Sequence, residues 1–275
     1  MKVKKIFAVF LVLLVAISLA SCGGEKNKAE KTNDTTAEKK DLVVFAAASM
    51  TDVLEEIKEN YEKENEGVNL IFNFDSSGTL KSQIVEGADA DLFISAAEKQ
   101  MNELDSKNEA YNGKVAIDSS SRTDLLENKV TLVVPEKNKN NITDFRDLNT
   151  DKAMTIALGN EDVPVGQYSE EILRNLGIFD EIKDKVTFGS NVREVASWVS
   201  EGTVDAGIIY ATDAKVFDLK IVAEADDDML DNKVIYPAAV LENAKNKDEA
   251  QKFLDYLKTD DASKVFVDAG FIPVK

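Results

Sequence analysis

The sequence predicts an α/β protein of two lobes, and three observations carry that reading. Short runs of aliphatic and β-branched residues alternate with stretches whose apolar side chains recur at helical spacing, the mark of strands feeding helices. The alternation runs from Leu42 to Ile94, restarts at Lys129, and closes with a strand near Tyr236 and an amphipathic helix, so the end of the chain rejoins its beginning. A single cysteine, Cys22, excludes intramolecular disulfides, which leaves a packed core to supply the stability.

The leader comes first. Lys2, Lys4 and Lys5 form a positive start, the stretch from Ile6 to Leu19 is almost wholly apolar, and Leu19-Ala20-Ser21-Cys22 is a small-residue exit. The apolar run falls short of the roughly 20 residues of a membrane span, so residues 1–21 are expected to be a secretory signal. The exit resembles a bacterial lipobox, in which Cys22 is acylated and begins the mature protein; an ordinary signal peptide with a chance cysteine is the alternative. Residues 22–40 are rich in Lys, Glu, Asn, Thr and Ala and lack aromatic and β-branched aliphatic residues. Such a stretch cannot offset its ordering entropy by burial and is expected to be a disordered tether.

The folded part begins with a strand at residues 42–45. Val53, Leu54, Ile57 and Tyr61 then share one face of a helix that runs to a stop at Glu64-Asn65-Glu66-Gly67. Residues 68–74 form the next strand, Leu80, Ile84 and Val85 a short helix ended by Gly87, and residues 91–94 a third strand. This βαβαβ order implies a parallel sheet with right-handed crossovers. Residues 129–134, stopped by Pro135, open a second set that continues with strands at 154–157, 186–188 and 205–209, separated by helices at about 166–176 and 192–201. A strand at 236–240 and a helix carrying Phe253, Leu254 and Leu257 complete the order. Residues 41–124 and 236–275 are thus assigned to a first lobe and 125–235 to a second, with two crossing segments and a ligand cleft between them.

Composition narrows the chemistry. The formal charge of −18 leaves no basic face for nucleic acid. The absence of histidine removes histidine-containing triads and His-ligated metal centres, and no thiol remains in the folded part. Carboxylate-only enzymes stay open, with Asp89 and Asp91 as a candidate pair whose other reading is structural, at a strand entry. Five places instead bring the chain to a small or hydroxylated residue at a helix start: Ala48-Ser49, Ser76-Ser77-Gly78, Val163-Pro164-Val165-Gly166, Asn191-Val192-Arg193 and Ile209-Tyr210-Ala211. Helix N-termini offer unpaired N–H groups and partial positive charge, so several converging on one point would hold an anion without Lys or Arg. Each place also has a plain explanation. Ser49 with Asp52 and Asn191 with Glu194 read as helix caps, Ser76-Ser77-Gly78 as a turn, Pro164 as a first-turn proline and Tyr210 as a core aromatic.

Taken in order, Phe45-Ala46-Ala47-Ala48-Ser49, Ser76-Ser77-Gly78-Thr79-Leu80, Ala90-Asp91-Leu92-Phe93-Ile94-Ser95-Ala96, Val163-Pro164, Asn191-Val192-Arg193 and Gly207-Ile208-Ile209-Tyr210 resemble the molybdate-binding receptors of bacterial ABC importers. The likeness extends through Phe253-Leu254-Asp255-Tyr256-Leu257-Lys258 to Gly270-Phe271. It implies a two-lobed, type II periplasmic-binding-protein fold that closes on molybdate or tungstate. Ser49 and Ser77 would offer hydroxyl and backbone donors, Val165 and Val192 main-chain N–H groups, and Tyr210 its phenol. Metal would enter only as the centre of the oxyanion, with no cofactor, no direct metal ligand and no catalysis. A permease with its ATPase would be the partner, and a monomer lipid-anchored at Cys22, on a Gram-positive surface or in a periplasm, the working form. Gly78 departs from the pattern where some relatives carry another serine, and Val165 where a smaller residue is common. Arg193 is expected to face the cleft rim or a carboxylate, since the pattern uses the preceding N–H. Donors alone suit a dianion without a proton, and sulfate, smaller at equal charge, would be set apart by cavity radius. Receptors for sulfate or another tetrahedral oxyanion, a carboxylate-based hydrolase, and an adhesion or signalling lipoprotein are the alternatives.

Overall fold

The structure is a computed structural model that describes residues 39–226 and 228–274, so the expected leader, Cys22 and nearly all of the expected tether lie outside the described residues. The chain opens with β1 (Lys40–Ala47), a 3-10 turn at Ala48–Met50, α1 (Thr51–Glu64), β2 (Val68–Asp75), α2 (Ser77–Val85), β3 (Leu92–Ile94), α3 (Glu98–Asn102) and β4 (Thr123–Asn128). Next come β5 (Val130–Val134), β6 (Ile156–Gly159), α4 (Pro164–Asn175), α5 (Phe179–Ile182), β7 (Val186–Gly189), α6 (Val192–Ser200), β8 (Ala206–Tyr210), α7 (Ala211–Val216) and β9 (Lys220–Glu224). The chain ends with β10 (Val234–Val240), α8 (Lys247–Tyr256), α9 (Asp260–Ala269) and β11 (Ile272–Pro273). Among the described residues no helix is long and apolar enough to cross a membrane.

Two sheets give the two lobes, one in the order β11-β4-β10-β3-β1-β2 and the other β7-β6-β8-β5-β9. In the first, β1 runs parallel to β2 and β3, as the βαβαβ order implies, while β10 returns antiparallel between β3 and β4. In the second, β6 is parallel to β7 and β8, and β5 lies antiparallel to β8 and β9. The chain passes from β4 to β5 through Lys129 alone, so neighbouring strands of one extended run belong to different sheets.

The helices cover these sheets for the reason their sequences give. Val53, Leu54, Ile57 and Tyr61 are the buried face of α1, and the Tyr61 ring stands edge-on to Phe253 and Tyr256 of α8, with centroids 4.9 and 5.0 Å away. That aromatic contact fastens the end of the chain to the first lobe. In the second lobe α4 buries Ile172 and Leu173, and α6 buries Val195, Ala196 and Val199.

Several elements have no counterpart in the sequence reading. β4 reads Thr-Asp-Leu-Leu-Glu-Asn, too polar to announce a strand, and exists because β10 and β11 pair with its two edges. β9 is an edge strand without a buried residue. α9 had visible punctuation, since Thr259 caps it through the Ala262 N–H and Gly270 ends it at φ 105°. β1 also begins at Lys40, paired with Val68, so the expected tether gives up its last residue to the sheet.

At the end of β6 the fold leaves no room for a side chain on α4. A Cβ on Gly166 would lie 2.3 Å from the Gly159 carbonyl oxygen and 2.5 Å from that of Asn160. In an open helix, Gly→Ala stabilises by about 1 kcal/mol; here the clash reverses the sign. Gly166→Ala is expected to lower the unfolding free energy by about 1–3 kcal/mol in urea denaturation, and a gain in stability would show that the backbone gives way freely.

Candidate oxyanion site

All five residues that the sequence places at the site are buried, and each lies at the carboxyl end of a strand. Ser49 is in the 3-10 turn after β1, Ser77 opens α2 after β2, Val165 is the second residue of α4 after β6, Val192 opens α6 after β7, and Tyr210 ends β8. Open α/β sheets bind ligands at such ends.

A chain of contacts links the five ends. Arg193 Nε donates to the Ala48 carbonyl at 2.7 Å, which sets the start of α6 beside the Ser49 turn. The Gly78 N–H donates to the Asp162 carbonyl at 3.0 Å, which sets the start of α2 against the loop into α4. Ala96, just beyond β3, is held from both lobes: its N–H donates to Ser77 Oγ at 2.9 Å, and its carbonyl accepts from Tyr210 Oη at 3.2 Å. Tyr210 stands edge-on to Tyr236, 5.6 Å between centroids, and the Tyr236 hydroxyl lies 3.0 Å from Ser49 Oγ. The lobes therefore meet at Ala48–Arg193, Gly78–Asp162 and Ala96–Tyr210. Only glycine permits the second of these, because a Cβ at position 78 would sit 2.4 Å from the Asp162 carbonyl oxygen. The departure noted at Gly78 thus has a steric reason.

Caps sort the donors. The cap expected at Ser49 is absent: Met50 is the N-cap of α1 and makes no side-chain bond, because the 3-10 turn moves the helix start past Ser49. Ser76 caps α2 by accepting from the Thr79 N–H at 3.1 Å, and Ser77 is left to face Ala96. Pro164 is the first residue of α4 and has no N–H, so Val165 supplies the first amide of that helix. Asn191 Oδ1 accepts from the Arg193 and Glu194 N–H groups at 3.0 and 3.1 Å, and the Val192 N–H stays outside the cap. Ser77 Oγ, already accepting from Ala96, keeps its own proton to give. Tyr210 takes the place its plain reading gives, a core aromatic with a backbone partner: its one proton goes to the Ala96 carbonyl, so donation to an anion requires that bond to be exchanged.

The charged groups nearby are spent on each other. As expected, Arg193 turns to a carboxylate, pairing with Asp52 of α1 across the lobes. Asp89 and Asp91 do not form an acid–base pair. Asp91 accepts from the Val43 and Asn246 N–H groups at 3.0 and 2.9 Å, and Asp89 is bridged to Lys245 on the surface.

Four residues beside the site carry no pattern that marks them in the sequence: Asn128, Thr212, Asp213 and Tyr236. Asn128 Nδ2 donates to Thr212 Oγ1 at 2.9 Å and to Tyr236 Oη at 3.2 Å. Asp213, in the first turn of α7, is fully buried and neither carboxyl oxygen has a hydrogen-bond partner among the described residues. Burial pushes its pKa up to about 7, with Arg193 opposing and Asp52 adding to the rise. Burial likewise holds the Tyr210 and Tyr236 phenols well above their ordinary range, so both remain neutral. For Asp213 the native state holds the proton more tightly than the unfolded chain. Its contribution to stability is therefore full below the ordinary value of 3.8 and is lost as pH rises towards about 7. Asp213→Asn, which stays neutral, is expected to raise the melting temperature relative to the parent more at pH 7.5 than at pH 4.5 (both pH values approximate, chosen to bracket the carboxyl range). An equal difference at the two would show a carboxyl that titrates normally.

A profile of the bacterial extracellular solute-binding proteins matches residues 42–272. The chain is 40% identical over 270 residues, 97% of its own length and 98% of the other's, to YvgL of Bacillus subtilis (strain 168), provisionally named an ABC transporter substrate-binding lipoprotein. It is 37% identical over 235 residues, 84% of its length and 89% of the other's, to the molybdate-binding protein ModA of Haemophilus influenzae. The periplasmic molybdate-binding protein of Azotobacter vinelandii shares the fold at a TM-score of 0.71 and 22% identity, over 85% of this chain and 100% of that one. With the match running from β1 to β11 through both sheets, the chain belongs to the bacterial extracellular solute-binding proteins.

Proposed function

We propose that the protein captures molybdate, and tungstate with it, outside the cytoplasmic membrane and delivers the oxyanion to an ABC permease with its ATPase. The observation that carries this is the ring of buried O–H and N–H groups at five strand ends, whose nearby guanidinium, Arg193, is committed to Asp52. Ser49, Ser77, Val165 and Val192 are its donors, and Tyr210 joins them by exchanging its bond to Ala96. Such a ring suits a dianion that is fully deprotonated at neutral pH, each hydrogen bond to the charge being worth about 1.5–3 kcal/mol. The similarity to molybdate-binding proteins supports the same ligand. Because donors come from both lobes, ligand favours the closed arrangement, which is the form a permease can recognise.

Thermal unfolding of the soluble chain beginning after Cys22, with molybdate, tungstate, sulfate and phosphate supplied separately, tests the ligand. At about a thousand times its dissociation constant a ligand stabilises by roughly 4 kcal/mol. A large upward shift with molybdate and tungstate alone is expected; a shift with sulfate instead would make this a sulfate receptor, and none with any of the four would defeat the oxyanion reading.

The anchor belongs to the same proposal. The small-residue exit before Cys22, and a B. subtilis relative named as a lipoprotein, support acylation of Cys22. Cys22→Ser is expected to move the protein from the membrane fraction to a soluble one, and unchanged membrane association would argue against the lipid.

A further inference from the structure

We infer that Tyr236 and Asn128 are positioning residues that fix the direction in which the Ser49 hydroxyl donates, so that its proton points away from Tyr236 and is available to an anion. The inference rests on the oxyanion-receptor reading of the cleft. It starts at Asn128, buried at the crossing from the first lobe to the second. Its Oδ1 accepts the Lys129 N–H at 2.8 Å, which fixes the amide and turns Nδ2 inward as a donor. One of the oxygens that Nδ2 meets is the Tyr236 hydroxyl, at 3.2 Å.

Tyr236 is fully buried, and burial keeps its phenol protonated. Its oxygen accepts from Asn128, and its own proton needs an acceptor, since a buried donor left unpaired is costly. Ser49 Oγ, at 3.0 Å, is its other hydrogen-bond partner. Protons therefore run Asn128 Nδ2 to Tyr236 Oη to Ser49 Oγ, and the Ser49 proton is left to point away from Tyr236. In the reverse direction the Tyr236 proton would have only the Tyr210 hydroxyl to turn to, a less well placed partner than Ser49 Oγ at 3.0 Å. Ser77 reaches the same polarity through the backbone, by accepting from the Ala96 N–H, a donor that no change of side chain at position 96 short of proline removes. Ser49 owes its direction to two side chains instead, which makes the effect separable.

A double-mutant cycle tests the relay, with calorimetric titration of sodium molybdate into the mature protein and into its Tyr236→Phe, Ser49→Ala and doubly substituted forms. Tyr236→Phe is expected to weaken binding roughly tenfold and Ser49→Ala at least as much, as for loss of one hydrogen bond to a charged ligand. The double variant should be no weaker than Ser49→Ala, because Tyr236 acts only through that hydroxyl. Unchanged affinity in Tyr236→Phe, or losses that multiply in the double variant, would overturn the relay and leave Tyr236 a packing residue. Should Tyr236→Phe not fold, Asn128→Ala takes its place in the cycle, with the same two outcomes. If the parent does not bind molybdate, the cycle is run with tungstate or sulfate. Binding of none of the three overturns both the receptor reading and the relay, whereas multiplying losses in a protein that binds overturn the relay alone.

Discussion

A buried hydroxyl carries one proton, and the destination of that proton decides what a dry cleft can bind. Much of this site follows from that constraint. Ser77 accepts from Ala96 and so must donate elsewhere; Tyr210 donates to Ala96 and so can serve a ligand only by exchange. The Ala96 peptide thus addresses both lobes at once, its N–H towards a first-lobe serine and its carbonyl towards a second-lobe phenol. Tyr236, held by Asn128, imposes the same discipline on Ser49. With one bond accepted from behind, each serine turns its proton towards the cleft.

Under the proposed function, that arrangement lets an acidic protein hold an anion. A formal charge of −18 is spread over the whole chain, and carboxylates beyond about 8–10 Å are screened at moderate salt, so donors in direct contact decide the local potential. The group that could spoil the balance is Asp213, fully buried beside Tyr210. Its pKa, raised to about 7 by burial, shows the cost of charging it there and reduces the negative charge it places beside the cleft below that pH. Arg193 contributes less to the anion than its position suggests, since its guanidinium joins Ala48 and Asp52 of the opposite lobe. Its charge is used to hold the lobes together.

Closure and recognition are accordingly built from the same few contacts. Gly78 against Asp162 sets how near the lobes approach, and no side chain fits between them. Arg193 and Tyr210 reach across on either side. Because the residues that hold the lobes together adjoin the residues that face the cleft, ligand affinity and lobe closure draw on one set of interactions.

By itself the sequence determined the alternation of strands and helices, the return of the chain to its first lobe, and the small or hydroxylated residues at strand ends. These are local properties: periodicity marks the α1 face of Val53, Leu54, Ile57 and Tyr61, and Pro164 and Asn191 announce helix starts in their immediate neighbourhood. Local signals misled at Ser49, where the spacing to Asp52 suggests a cap and a 3-10 turn removes it. β4 was invisible because its polar residues become a strand only between β10 and β11. The tertiary structure alone decided the polarity of the hydroxyls, which carboxylate Arg193 meets and the burial of Asp213. Each depends on a partner far along the chain, as Ser49 does on Tyr236 and Asn128 on Thr212, and no pattern of nearby residues encodes which distant atom will sit at hydrogen-bonding distance.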